Sequence, residues 1–266
     1  MSERKLVVVF AVFPGVTQLD FTGPHQVFSS LPRAQVIVAS VAGGTLESSG
    51  GLIFAGLHRL ADIAACDIIC VPGGRGVTDN AIQDQAFLGE LRRLAATAQF
   101  VTSVCTGSLA LGAAGLLRDK HAACHWAWRE TLALFGAIPD HGRVVRDGNI
   151  VTGGGVTAGI DFALSLVAEI AGPEVAQAIQ LQIEYAPAPP FRGRLAGNRP
   201  TRDPGAPSRA ERSDRAAAAR SRRSGSTAAR STCGMKGQVD ARAETQLRIL
   251  RQGLAAQRGG CANLFV

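Results

Sequence analysis

A cysteine between a predicted strand and a predicted helix is the residue of this chain best suited to chemistry. The apolar run Phe100–Val104 leads directly into Cys105, and Thr106, Gly107 and Ser108 then begin a helix of small residues. This is the layout of a nucleophile elbow, in which a strained turn presents a nucleophilic side chain. The unpaired N–H groups at the start of such a helix favour a thiolate and can hold a developing anion. Cys105 is therefore a candidate nucleophile, although a buried structural cysteine fits the same local pattern.

A glycine-rich loop follows another predicted strand. The run Ile68–Val71 continues into a loop that contains Gly73 and Gly74. Ligands of open parallel sheets bind beyond the carboxyl ends of the strands. The backbone amides of these two glycines can therefore point toward the sheet edge that carries Cys105. A plain tight turn explains the same residues.

A carboxylate is predicted in the loop after the first strand. Asp20 lies between the apolar run Leu6–Phe10 and the helix predicted from Pro24. An aspartate just before Thr-Gly-Pro usually caps the helix that follows. Asp20 can equally serve as the general acid or base that a cysteine site needs.

Alternating strands and helices must position these residues. Short apolar runs between Gly, Pro or polar turns predict strands at Leu6–Phe10, Val36–Val41, Ile68–Val71, Phe100–Val104 and Ile150–Thr152. Helices are predicted at Pro24–Ser30, Gln85–Ala98, Thr106–Ala114, Trp126–Phe135, Thr157–Ile170 and Pro173–Tyr185, with Thr22-Gly23-Pro24 and Gly172-Pro173 as helix starts. This alternation predicts an α/β fold with a largely parallel sheet covered on both faces.

Charge divides the chain at Phe191. Residues 1–191 hold 12 Lys and Arg against 16 Asp and Glu, a net charge of −4, whereas the remaining 75 residues carry +11. The net charge of residues 1–191, which hold the apolar core, therefore does not favour binding to a polyanion. We predict a catalytic domain at 1–191 and a basic, Arg/Ala-rich, mostly disordered tail at 192–266, with its best helix at Ala241–Ala256. A mixture of Arg, Ala, Gly, Pro and Ser is also what a GC-rich gene encodes when it is translated out of frame. Sequencing the gene across the Phe191 codon would test this hypothesis, and an intact reading frame there would contradict it.

Cellular context follows from the cysteines and the apolar runs. A chain of 266 residues with a Leu/Ile/Val-rich core does not need a disulfide framework, so its six cysteines are predicted to be reduced. Cys66 and Cys70 are predicted core residues. The first apolar run is too short to span a bilayer. We expect a cytoplasmic protein without a membrane partner.

Several motifs, taken in order, resemble those of the DJ-1/PfpI superfamily and, more closely, of its isocyanide hydratase branch. The matching segments are Gln18–His25, Val71–Gly74, Val101–Ser108, His125-Trp126, Thr152–Asp161 and Glu184–Phe191. The resemblance covers nearly all of residues 5–191 and none of the tail. It implies a flavodoxin-like, three-layer α/β sandwich of the class I glutamine amidotransferase type, a homodimer, and an elbow cysteine that acts as the nucleophile.

The resemblance also implies roles for the neighbours of the cysteine. In the hydratase branch an acidic residue at the position of Asp20 faces the nucleophile, here Cys105, and a threonine follows it, here Thr106. Proteases of the superfamily carry a histidine there, so protease activity is not expected. The resemblance suggests that Cys105 attacks the terminal carbon of an isocyanide, R–N≡C, to give a thioimidate. Asp20 relays protons, and water then releases an N-formamide.

Supporting groups complete the expected site, which needs no cofactor and no metal. The amides of Gly73 and Gly74 and of the elbow would hold developing negative charge. Thr106 would position Asp20 or the catalytic water. Burial and a nearby thiolate would raise the pKa of Asp20.

Other readings remain open. His121, Cys124 and His125 resemble metal ligands in spacing, but the segment is predicted as a strand, where residues four apart lie about 13 Å from each other. Helix-turn-helix activators carry a similar domain before a DNA-binding module, yet residues 192–266 lack the apolar helical periodicity that such a module needs. A thiol stress sensor, in which Cys105 is oxidised without turnover, is the third reading. The resemblance keeps His125 as a secondary site candidate.

Overall fold

Apolar strands form an eight-stranded sheet in residues 5–190, the part of the chain that the structure, a computed structural model, describes. The strands are β1 (Leu6–Ala11), β2 (Ala34–Ser40), β3 (Gly44–Glu47), β4 (Ile53–Arg59), β5 (Ile68–Val71), β6 (Phe100–Val104), β7 (His121–Ala122), β8 (Ile138–Pro139), β9 (Val144–Asp147) and β10 (Ile150–Gly153). Their order in the sheet is β3-β4-β2-β1-β5-β6-β10-β9, while β7 and β8 form a separate pair.

The sheet is parallel from β4 to β10 and antiparallel only where β3 and β9 add to its edges. The helices are α1 (Gln18–Ser29), α2 (Gln85–Ala95), α3 (Gly107–Ala113), α4 (Ala158–Ala171) and α5 (Pro173–Gln182). Helix α4 packs against α1 and α5, and α2 packs against α3. This arrangement is the flavodoxin-like α/β fold, so the predicted fold class is confirmed.

Helix α1 begins earlier than predicted. It starts at Gln18, so Asp20 lies in its first turn and Pro24 lies inside it. The Thr-Gly-Pro signal fails because tertiary packing overrides it. Pro24 lies where α1 meets α4, and a Cβ on Gly159 would come within 2.9 Å of its ring. The missing side chain of Gly159 leaves space for the Pro24 ring where the two helices meet.

The segment after α3 is less regular than predicted. Only Arg129–Phe135 of the expected helix forms, as a 3-10 helix, and only β7 of the expected strand from His121 to His125. The predicted tail, including the helix expected at Ala241–Ala256, lies outside the described residues. No helix between residues 5 and 190 is long and apolar enough to cross a membrane.

Three buried strands bring the site together. Strands β5 and β6 are buried at every residue, as continuous apolar runs at the centre of a parallel sheet should be. In the register Val71 pairs with Ser103, and Val104 pairs with Gly153. The loops that follow β5, β6 and β10 therefore leave the sheet at the same edge.

Candidate active site

Cys105 occupies a strained turn between β6 and α3. Its φ of 60° lies in the left-handed region, which costs a residue other than glycine on the order of 1–3 kcal/mol. Its N–H donates to the carbonyls of Gly153 at 3.0 Å and Gly154 at 2.7 Å. These bonds hold the turn, so the predicted elbow is present, with a side chain that is only 6% exposed.

The start of α3 packs tightly beneath β5. A Cβ on Gly107 would lie 2.0 Å from the carbonyl oxygen of Val71, so only glycine fits there. A buried pair of hydroxyls, Ser103 and Ser108, lies 2.8 Å apart, and Ser108 donates to the carbonyl of Ala123 at 2.6 Å. The elbow therefore rests on a packed, hydrogen-bonded base.

Asp20 is fully buried and lies beside the elbow. Its Oδ2 accepts the N–H of Gly73 at 3.1 Å, whereas Oδ1 has no hydrogen-bond partner among the described residues. The carboxylate thus does not cap α1, whose N-cap is Thr17. A Cβ on Gly73 would lie 2.6 Å from Asp20 Oδ2 and 2.8 Å from the Cβ of Cys105. The loop after β5 therefore lies against both the carboxylate and the cysteine.

The environment of Asp20 favours its neutral form. Burial raises the pKa of Asp20 from 3.8 to about 6, while the Cys105 thiol and the Gly73 N–H pull the pKa in the opposite direction. The rise was expected, but its cause differs in one respect. Burial alone raises the pKa of Asp20. The neighbouring Cys105 thiol stabilises the charged carboxylate and so lowers the pKa.

Cys105 itself is held as a thiol. Burial, reinforced by the charge of Asp20, raises the pKa of Cys105 well above its ordinary value, and the N–H of Thr106 only partly counters this. The expected thiolate is therefore not the resting form, because desolvation outweighs the start of a short helix. Cys124 also acts on the Cys105 thiol, and burial raises the pKa of Cys124 to about 12. Sequence reasoning had not placed Cys124 in this neighbourhood.

The two glycine amides already have partners. The N–H of Gly74 donates to the Thr106 hydroxyl at 2.9 Å, and that hydroxyl donates to the Gly74 carbonyl at 3.2 Å. Since Gly73 donates to Asp20, neither amide is free to bind a developing anion, in contrast to the expected role. Thr106 likewise bonds to the loop after β5 rather than to Asp20. The loop positions side chains instead of forming an anion hole.

The structure also places the other residues that the sequence singled out, Cys66, Cys70 and His125. Cys66 and Cys70 are buried core residues, as predicted, and both carry free thiols. His125 is half-buried next to the exposed ring of Trp126. A Cβ on Gly155 would come within 3.3 Å of His125, which places this histidine near the loop after β10. Within residues 5–190, no group of three or more His, Cys, Asp or Glu side chains is arranged to hold a metal ion.

Gly73→Ala tests how tightly the site is packed. The new Cβ would collide with Asp20, with Cys105 and with the backbone N of Thr106 at 2.6 Å, so the carboxylate and the thiol must move apart. We expect a loss of about 100-fold or more in any activity that needs both groups. Gly89→Ala in α2 is the control, because a Cβ there meets nothing within 4 Å. Equal activities of the two variants would contradict this geometry.

Asp20→Asn tests the raised pKa through stability. Asp20 binds its proton more tightly in the folded protein than in the unfolded chain, where its pKa is near 3.8. The free energy of unfolding therefore falls as pH rises from about 3.8 to about 6, and the loss is complete above that window. Relative to wild type, Asp20→Asn should gain about 2 kcal/mol between pH 4 and pH 7. Urea denaturation at several pH values measures this, and a difference that does not change with pH would contradict it.

Known proteins show the same fold and the same sequence pattern. The sequence model of the DJ-1/PfpI family matches residues 6–169. An isonitrile hydratase of Pseudomonas putida is 53% identical over 186 residues, which are 70% of this chain and 81% of that protein. A ThiJ/PfpI family protein from Pseudomonas syringae superposes with a TM-score of 0.69 at 41% identity, over 71% of this chain and 78% of the other.

A regulator matches more distantly. The HTH-type transcriptional regulator GlxA of Rhizobium meliloti (strain 1021) is 30% identical over 197 residues, 72% of this chain but 60% of that protein. The match leaves two fifths of the regulator without a counterpart in the aligned part of this chain.

Proposed function

This chain belongs to the DJ-1/PfpI family, and within that family we propose that it is an isocyanide hydratase, which adds water to an isocyanide to give an N-substituted formamide. Isonitrile is another word for isocyanide, so the relative that is 53% identical carries this activity in its name. The assignment as an enzyme with hydratase activity rests on that likeness. The chemical steps rest on the site.

The observation that carries the mechanism is a thiol beside a buried carboxyl group with one free oxygen. Oδ2 of Asp20 is bonded to Gly73, and Oδ1 has no partner among residues 5–190. In that range no histidine is among the groups that act on the Cys105 thiol. The pair therefore exchanges a proton without an imidazole. An isocyanide needs only this, because its hydration has no amine leaving group to protonate.

The first step joins the thiol to the substrate. Cys105 gives its proton to Asp20 as Sγ attacks the terminal carbon of R–N≡C, so that one S–C bond forms. Asp20 then passes the same proton to that carbon, which gives the thioimidate R–N=CH–S–Cys105. The step consumes one isocyanide, leaves the carboxylate as it began and needs no oxidant or reductant. A pKa of about 6 lets Asp20 accept and return the proton near neutral pH.

The second step adds water. Asp20 takes one proton from the water as its oxygen bonds to the thioimidate carbon, and passes that proton to the nitrogen to give R–NH–CH(OH)–S–Cys105. Asp20 then takes the hydroxyl proton as the S–C bond breaks and R–NH–CHO leaves, and it returns this proton to the sulfur, which restores the Cys105 thiol and the carboxylate. The sum is R–NC plus water giving the formamide. The enzyme is thus a hydro-lyase with a cysteine nucleophile and no cofactor.

Thr106 contributes by positioning. Its hydroxyl is bonded to both the N–H and the carbonyl of Gly74, on the loop whose preceding residue, Gly73, holds Asp20. We assign Thr106 the task of fixing the loop after β5 relative to the elbow. In this way it acts on Asp20 through two glycines rather than by direct contact.

The setting of the enzyme is part of the proposal. The net charge of −4 over residues 1–191 supports a small-molecule substrate over a nucleic acid. The family resemblance supports a homodimer, and a Leu/Ile/Val-rich core that needs no disulfide framework supports the cytoplasm. Light scattering of the purified chain tests the dimer.

A transcription regulator is the weaker alternative. GlxA is 30% identical, against 53% for the isonitrile hydratase, and this chain matches only 60% of the regulator's length. The observed pairing of a buried carboxyl group with a strained thiol is a reactive arrangement that ligand sensing alone does not require.

The test mixes purified protein with an aryl isocyanide and follows the N-aryl formamide by absorbance and by mass spectrometry. We expect steady turnover that saturates with substrate. Oxidation of Cys105 by peroxide without any formamide would instead support the stress-sensor reading. The absence of turnover would reject the proposed function.

A further inference from the structure

A side-chain cluster outside the reacting groups lies at the start of α4. The Arg143 guanidinium donates from Nε to Asp161 Oδ2 at 2.7 Å and from a terminal nitrogen to Thr157 Oγ1 at 3.1 Å. Tyr185, beyond the end of α5, donates its hydroxyl to both oxygens of Asp161 at 3.2 Å. We call Arg143, Thr157, Asp161 and Tyr185 the Arg143 cluster. None of the four has a role in the steps above.

The main chain of Arg143 connects this cluster to the nucleophile. Its carbonyl accepts the N–H of Gly154 at 2.9 Å, and the carbonyl of Gly154 accepts the N–H of Cys105 at 2.7 Å. Two consecutive hydrogen bonds therefore lead from Arg143 to the backbone of the elbow. The second is the shorter of the two bonds that the Cys105 amide makes.

Arg143 also holds both ends of the loop between β10 and α4. Its carbonyl binds Gly154 at the beginning of this loop, and its side chain binds Thr157, the N-cap of α4, at the end. The loop starts within three consecutive glycines, which are costly to order because glycine has more backbone freedom than any other residue. A glycine loop that must present one carbonyl in a fixed place needs an external support.

We propose that Arg143 is a positioning residue for the elbow cysteine, acting through the Gly154 carbonyl and supported by Asp161 and Tyr185. The inference rests on the proposed function for its kinetic consequence. Its structural consequence, an ordered Cys105 amide, is independent of the reaction. Arg143 touches no reacting atom, so its loss should slow the chemical step more than it weakens substrate binding.

The chain offers a matched control in Arg146, three residues further along. Arg146 pairs with Glu169, so this second ion pair also joins the β9 region to α4. The side chains are similarly exposed, 53% and 30% for Arg143 and Asp161 against 48% and 39% for Arg146 and Glu169. Arg146 stands opposite Val151 in the register of β9 and β10, so its main chain lies away from Gly154. Only the Arg143 pair is connected to the elbow.

The kinetic experiment compares Arg143→Ala, Arg143→Lys, Asp161→Asn and Arg146→Ala with wild type on an aryl isocyanide. We expect kcat to fall about tenfold in Arg143→Ala and in Asp161→Asn, with KM changed less than about twofold. Arg143→Lys, which keeps the charge but loses the fork, should fall between them and wild type. Arg146→Ala should behave as wild type. Equal kcat values for Arg143→Ala and Arg146→Ala would overturn the proposal.

Hydrogen exchange separates this inference from the proposed function. In NMR spectra of the labelled protein, the Cys105 amide should exchange about tenfold faster in Arg143→Ala than in Arg146→Ala, while amides of β1 and β5 are unchanged. A wild type without turnover would reject the hydratase but leave this measurement decisive. An equal exchange rate at Cys105 in both variants, or faster exchange throughout the core of Arg143→Ala, would overturn the positioning role.

Discussion

Cys105→Ala is expected to lower kcat for isocyanide hydration by about 10³-fold or more, because Cys105 is the nucleophile at the elbow. The S–C bond of the thioimidate cannot form without Sγ. The variant should still fold, since alanine takes the same left-handed backbone at the same cost as cysteine and leaves only a small space. Thermal unfolding of the variant checks this.

Cys124→Ala is the matched control for the nucleophile. Cys124 is a buried thiol in the same neighbourhood, but it follows β7 in an ordinary backbone conformation. We expect it to keep activity within about fivefold, reflecting only a small loss of packing. The wild type quenched in acid should gain the full mass of the isocyanide on the peptide that contains Cys105. Turnover of Cys105→Ala at the wild-type rate, or the adduct on Cys124, would refute the assignment.

The parts of the fold that the sequence could predict are those where a local pattern and the tertiary structure agree. Strands β5 and β6 were predicted with the observed bounds because buried parallel strands are continuous apolar runs. Strands β3 and β4 were missed since both are largely exposed, β3 has only four residues and β4 is interrupted by Gly56. The start of α1 was misplaced because Pro24 suits the first turn of a helix, whereas in the structure it lies inside α1.

In the site, too, a local pattern could be predicted from the sequence, whereas contacts between distant segments could not. The elbow could be predicted, because the change from strand to helix at Cys105 is a local pattern. The burial that raises the pKa of Asp20 was expected only through the family resemblance, since it comes from elements that are distant in the sequence. The occupied amides of Gly73 and Gly74 were also beyond a sequence pattern, because main-chain partners depend on the register of separate loops. The support of Gly154 by Arg143 has no signal in sequence spacing either.

Asp20→Asn is the second variant with a large expected effect, and its signature is the pH profile. The active form of the free enzyme carries one proton on the Cys105 and Asp20 pair. Below pH 6 the carboxyl group of Asp20 is neutral and cannot accept the thiol proton, so wild-type kcat/KM should rise with pH through about 6. Because burial also raises the pKa of Cys105, the falling limb should lie well above neutral pH.

In Asp20→Asn the rising limb near pH 6 should disappear, and kcat/KM at neutral pH should fall by about 10²-fold to 10⁴-fold. The amide oxygen of asparagine can still accept the Gly73 N–H, so the loop after β5 should keep its place and the loss reports on the proton. Kinetics from pH 5 to pH 9 measure both effects. A variant that retains the limb near pH 6 would assign that ionisation to another group. The carboxyl group with the free oxygen would then be a structural support, and the proton that forms the C–H bond of the formamide would have to come from water.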